Sequence, residues 1–195
     1  MYIIVAAALW AFMFSSKTAD IVPFWYAMLG ATGILILLSF RHIKWEKPLP
    51  KDVCLGIVSA IVLWGIFWVG NYFSTRWFGF AAQNIQSIYN IKSDFNPLFL
   101  SLILLFWIGP AEEIFWRGFL QRQWSEKLGA NLGFVLTAVL YAGVHIVSLN
   151  FMLVMAALVC GIFWGLIYKY TNRLWPVIIS HALWDCAVFL WFPIS

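Results

Sequence analysis

Six ionisable residues stand inside stretches of this chain that are otherwise apolar: Glu112, Glu113, Arg117, His145, His181 and Asp185. Burying a carboxylate in hydrocarbon costs roughly 2.5–3.5 kcal/mol on insertion scales, so two adjacent glutamates there need a reason. Glu113 and Arg117 are i,i+4 neighbours in the favourable acid-first order. Their pairing neutralises Glu113 and leaves Glu112, about 100° away round the helix, free to face a cavity. Pro110 removes a backbone donor just upstream and is expected to kink the helix there, opening space for a hydrated pocket.

The partners of this pair lie on two further helices. With a turn at Gly129, the helix bearing Glu113 and the one bearing His145 run antiparallel. Each residue stands 16 positions from that glycine, so the two sit at about the same depth. A carboxylate and an imidazole at one level form a general-base arrangement. Tyr141 is one turn from His145 and covers the same face. His181 and Asp185 are again i,i+4 and share a face of the last helix. Taken singly, each feature has a plain structural reading: an ion pair, or a polar contact gluing helices together. Their joint occurrence on three helices that can meet is what points to chemistry.

The elements that position these residues follow from composition. Hydrophobic residues are 64% of 195 and charged residues 10%, against about 25% charged in a soluble domain; the mean hydropathy is +0.88. The apolar residues fall in long uncharged runs: 21–40, 53–75, 95–111, 128–168, and from 174 to the C-terminus with one acid. A helical span needs about 20 residues, so the run 128–168 predicts two helices turned at Ser148-Leu149-Asn150. The stretch Tyr2 to Phe14 lacks a basic flank and a small-residue cleavage site, and reads as a short first helix. The fold class is an all-α, polytopic integral membrane bundle of six or seven helices, one membrane domain over 1–195. No alternating strands suggest a barrel.

Nine of the twelve Lys and Arg residues fall in three segments: Arg41 to Lys51, Arg117 to Lys127, and Lys169 to Arg173. All three lie on one side if each run crosses once. The positive-inside rule makes that side cytoplasmic, with the N-terminus inside and the C-terminus outside. The net charge of +4 thus reflects topology and implies no nucleic-acid partner. Cys54, Cys160 and Cys186 give neither a disulfide framework nor a metal spacing. Trp10, Trp25, Trp45, Trp77, Trp124, Trp175 and Trp191 flank segment ends, as an interfacial belt does. The polar segment 76–94 is expected to carry a short interfacial helix and is assigned no chemistry.

The ordered motifs Glu112-Glu113-Ile114-Phe115-Trp116-Arg117, Tyr141-Ala142-Gly143-Val144-His145 and His181-Ala182-Leu183-Trp184-Asp185 resemble those of the CPBP family of intramembrane proteases. That family includes CAAX prenyl endopeptidases and bacterial relatives often called Abi proteins, and the expected location is a bacterial or archaeal cell membrane. The resemblance covers 98–195, which it implies is the catalytic core, with 1–94 as N-terminal helices. It implies that Glu112 activates a water for attack on a peptide carbonyl and that His145 helps position it. His181 and Asp185 would stabilise the oxyanion, and Glu113 and Arg117 would support the site. Tyr141 replaces the usual Phe. Asp185 stands where the prenyl-protein branch has Asn; an ionised Asp repels an oxyanion, so it is either protonated or orients His181.

A zinc site built from Glu112, His145 and His181 is the alternative, since two His, one Glu and a water form a known catalytic set. The chain has no HExxH, and the family is now mostly treated as glutamate-dependent without metal, so no cofactor is expected. The implied substrate is a membrane-embedded or lipid-associated peptide, and nothing in the sequence marks a prenyl-recognition feature. Two other functions compete: a non-proteolytic scaffold or bacteriocin immunity factor, which an intact Glu112/His145/His181 set argues against, and a proton-coupled transporter, which would show related halves that are absent here. Oligomeric state is not legible.

Overall fold

A computed structural model describes residues 1–92 and 95–194. Among these residues six helices are long and apolar enough to cross a membrane, and no strand occurs. The chain is an integral membrane protein of the all-α class. In order, the elements are a short apolar helix α1 (Tyr2–Met13), the spans α2 (Phe24–His42) and α3 (Pro50–Trp77), and a short helix α4 (Ala81–Asn90). The spans α5 (Pro97–Leu128), α6 (Ala130–Ser148), α7 (Phe151–Thr171) and α8 (Leu174–Trp191) follow.

Local chemistry sets the boundaries. Pro97 opens α5, where a missing N–H costs nothing, and Asn96 caps it by accepting the N–H groups of Leu98 and Phe99. Gly129, at φ +89, takes the backbone conformation that turns α5 into α6. The turn expected at 148–150 is present: Leu149 is left-handed at φ 53 and Asn150 caps α7 through Leu153 N–H. The expected helix within 76–94 is α4.

The basic end of the bundle is laced by ion pairs. Arg173 donates through Nε and Nη2 to the two carboxylate oxygens of Asp52, both at 2.6 Å, and through Nη2 to the Lys47 carbonyl at 2.8 Å. Lys44 meets Glu126 at 2.9 Å. These contacts tie the loop between α2 and α3 to the starts of α3 and α8 and the end of α5. At the other end, Tyr89 donates to Val188 O at 3.0 Å and accepts the Ile194 N–H at 2.9 Å, while Lys92 donates to Phe189 O. Orphan carbonyls at the end of α8 are satisfied this way, and the chain turns Ile194 back into the bundle.

Two tryptophans depart from the expected belt. Trp10 is 0% exposed and Trp25 3%, because α1 and α2 pack their rings inward. Trp45, Trp77 and Trp191 are exposed as expected.

Candidate active site

The glutamate motif sits on a short α-helical stretch between two π-helical segments of α5, Leu104–Ile108 and Ile114–Gln121. A π turn widens the helix by one residue and re-aims side chains, and such turns are frequent at functional sites. It also accommodates the backbone donor lost at Pro110, at the place where the sequence predicts a kink. Gly109 lets α5 approach α8: a Cβ there would lie 2.9 Å from Ala182 Cα and 3.0 Å from Ala182 N. Backbone approach at this point brings the glutamates beside His181.

Glu113 is fully buried and its Oε1 is shared. Arg117 Nη1 donates to it at 2.6 Å and His181 Nδ1 lies 2.8 Å away. The expected i,i+4 pair is therefore present, and it extends to the last helix. Arg117 is enclosed by the carbonyls of Cys160 and Gly161, each at 3.4 Å from Nη2, and by the rings of Tyr141 and Trp164, at 4.9 and 5.5 Å. An uncompensated guanidinium there would be expensive; Glu113, two carbonyls and two aromatic faces compensate it.

His181 stands between two carboxylates, with Nε2 3.4 Å from Asp185 Oδ2 on the side away from Glu113. The indole of Trp164 stacks on its ring at 3.9 Å and 19°, and Trp164 is fixed by an N–H bond to Ser180 Oγ. Each ring nitrogen of His181 faces an acid, an arrangement in which a protonated imidazole donates on both sides. At 3.4 Å Asp185 is placed to orient that ring.

Glu112 is differently situated. Its Oε2 accepts the Tyr141 hydroxyl at 2.9 Å, and it lines a cavity of about 330 Å³ together with Tyr141, His145, His181 and Asp185. The rest of the wall is almost wholly apolar and comes from α1, α2, α3, α4 and α7 as well. Glu113 and Arg117 lie behind this wall. The six residues singled out in the sequence thus divide into four facing a common cavity and a buried pair supporting them.

His145 does not bond to Glu112 or Glu113 among the described residues. Its Nδ1 donates to the Tyr141 carbonyl at 2.7 Å, and its Nε2 accepts the indole N–H of Trp10 at 3.1 Å. A carbonyl only accepts and an indole N–H only donates, so the neutral Nδ1–H tautomer is fixed. Of the helix bearing His145, it is Tyr141, one turn earlier, that bonds to the glutamate motif, while His145 lines the same cavity. Sequence reasoning missed Trp10 and Trp164. Tryptophan in an apolar run carries no signal separating a belt residue from a ring that holds a histidine.

Zinc can be tested against these contacts. Both nitrogens of His145 are engaged, His181 Nδ1 is held by Glu113, and among the described residues no group of three or more His, Cys, Asp or Glu is disposed to hold a metal ion. As arranged, this donor set does not fit a tetrahedral ion.

Among known families, residues 94–187 match the one described as "Type II CAAX prenyl endopeptidase Rce1-like". The match includes all three motifs. No curated protein and no solved structure matched the chain. Residues 94–187, just under half of the chain, are thus similar to this family of endopeptidases, and the chain around them carries six apolar spans.

Proposed function

We propose that the protein cleaves a peptide bond of a membrane-associated substrate by glutamate-activated water, without a metal. The observation that carries this reading is the meeting of Glu112, His145, His181 and Asp185, from three separate helices, on the wall of one mostly apolar cavity.

Tyr141 holds Oε2 of Glu112, leaving the other carboxylate oxygen to take a proton from water. That water attacks the scissile carbonyl, a C–O bond forms, and negative charge develops on the carbonyl oxygen. His181, held through Nδ1 by Glu113, turns its Nε2–H from Asp185, 3.4 Å away, to that oxygen. Donors held in place before the charge appears cost no reorganisation in the transition state. As the C–N bond breaks, Glu112 returns its proton to the leaving amine. His145, fixed in one tautomer by Trp10 and the Tyr141 carbonyl, shapes the pocket beside the attacking water. The apolar wall excludes bulk water and favours apolar substrate side chains. The basic ends of the spans, at Arg41–Lys51, Arg122–Lys127 and Lys169–Arg173, make that face cytoplasmic in this reading.

The test is cleavage of a fluorogenic peptide panel by purified protein in detergent, with Glu112→Gln, His145→Ala and His181→Ala, each with and without a chelator. Loss in the Glu112 and His181 variants by about 100-fold or more, unaffected by chelator, is the expected result. Cleavage by Glu112→Gln at the wild-type rate overturns the assignment, and activity abolished by chelator and restored by zinc replaces it with metal ligation.

A further inference from the structure

The catalytic reading leaves three polar groups on the cavity wall without a role. Asn71, near the end of the uncharged apolar run 53–75 on α3, lines the cavity. Its Oδ1 is buried and has no hydrogen-bond partner among the described residues. Its main-chain carbonyl is already taken by the Ser74 and Thr75 hydroxyls, at 3.3 and 2.7 Å. The indole N–H groups of Trp25 on α2 and Trp184 on α8 are also buried and unpartnered, on residues 3% and 7% exposed that line the same cavity.

A buried amide oxygen with no partner costs stability, and leucine would fill almost the same volume without that cost. Such a cost is characteristic of a site that binds something. The three groups together offer one acceptor and two donors, the complement of a peptide main chain, in which each residue brings one N–H and one C=O. A chain entering an apolar cavity must replace its bonds to water or be excluded.

We infer that Asn71 is a substrate-binding residue, its Oδ1 accepting a main-chain N–H of the bound peptide while Trp25 and Trp184 donate to main-chain carbonyls. The inference rests on the proteolytic reading and narrows its substrate class. Within a helix the main-chain N–H groups are already bonded to carbonyls four residues back, so the segment recognised is extended or unwound. Asn71 lies one turn, about 6 Å, beyond Phe67 along α3, and the Phe67 ring packs against Trp184 at 4.7 Å. That rise corresponds to roughly two residues of extended chain, so the anchored N–H lies a short way along the peptide from the level of Asp185. Asn71 and Trp25 lie outside the family match at 94–187 and Trp184 inside it, so recognition draws on both halves of the chain.

The experiment compares wild type, Asn71→Leu and Asn71→Gln on a library of quenched fluorescent octapeptides with apolar residues at each position, measuring kcat, KM and thermal unfolding. The expected result for Asn71→Leu is a KM raised about tenfold, the equivalent of one hydrogen bond, with kcat within about threefold and a Tm unchanged or higher; Gln should recover part of the affinity. The best peptide is then N-methylated at successive amides. One methylation should weaken binding to wild type about tenfold and leave binding to Asn71→Leu unchanged, a cycle that a structural role cannot produce. An unchanged KM, a lowered Tm without a KM effect, or additive losses in the cycle overturns the inference and leaves the catalytic reading standing. Cleavage that persists in Glu112→Gln, or no Glu112-dependent cleavage of any peptide, overturns both.

Discussion

Oε1 of Glu113 lies 2.8 Å from Nδ1 of His181 and 2.6 Å from Nη1 of Arg117, so one carboxylate oxygen joins the supporting pair to the last helix. Replacing Glu113 with Gln leaves a buried guanidinium without its counter-charge, which costs about 3–5 kcal/mol. A large fall in Tm and loss of cleavage are expected together. Adding Arg117→Met should restore most of the Tm while cleavage stays low, because His181 still lacks the carboxylate charge beside its Nδ1. Thermal unfolding of the single and double variants checks this, and recovery of both properties would place the pair outside the chemistry.

Tyr141 differs from the Phe that the family resemblance leads one to expect, and its hydroxyl reaches Glu112 Oε2 at 2.9 Å. A hydrogen bond to a charged group contributes about 1.5–3 kcal/mol. Tyr141→Phe should therefore lower kcat by roughly tenfold or more, with KM unchanged. Steady-state kinetics on one cleaved peptide decide it; a selective change in KM would mean that the hydroxyl contacts substrate instead.

At Gly109 a methyl group would press on the backbone of Ala182, the residue after His181. Overpacking of this kind costs about 1–3 kcal/mol, and a 1 Å displacement of a catalytic group costs about 100-fold in rate. Gly109→Ala should fold with a modestly lower Tm and lose cleavage about 100-fold. A variant that unfolds no earlier and cleaves normally would show that α5 and α8 slide past one another without consequence.

Lys92 donates to Phe189 O beside the end of α8, and burial holds its ammonium below the usual lysine range. The unfolded chain therefore binds that proton more tightly than the folded one. The penalty is full below the depressed folded value, and stability rises with pH from there up to the ordinary 10.5. Relative to Lys92→Met, the wild-type Tm should climb as pH is raised across that window. A constant difference between the two proteins over the same range would count against it.

Much of this architecture is legible in the sequence because membrane helices announce themselves by length and by the scarcity of charge. The turn at Leu149, the pairing of Glu113 with Arg117 and the cavity-facing position of Glu112 all follow from spacing along one chain segment. Contacts between helices are another matter. A helix apolar on every side has no amphipathic stripe to fix its rotation, so nothing in α1 points Trp10 at His145, and nothing in α7 stacks Trp164 on His181. The sequence pairs Glu113 with His145 by counting at about 1.5 Å per residue, but the bond to the glutamate motif is made from Tyr141, and counting does not allow for the π-helical stretch Ile114–Gln121. Asn71 escapes notice for a simpler reason: one amide in an apolar run looks like tolerated polarity until its oxygen is seen to lack a partner.

The bond from Trp10 to His145 spans 135 residues and joins the start of the chain to the stretch 94–187 that carries the family match. What can be recognised by comparison and what can work by itself are therefore different lengths of polypeptide. A fragment trimmed to the recognisable half would keep every acid and histidine of the motifs, yet the imidazole of His145 would lose the indole that sets its tautomer, and the cavity would lose the wall that Asn71 belongs to. In this protein the half outside the family match is the mould in which the matched half is cast.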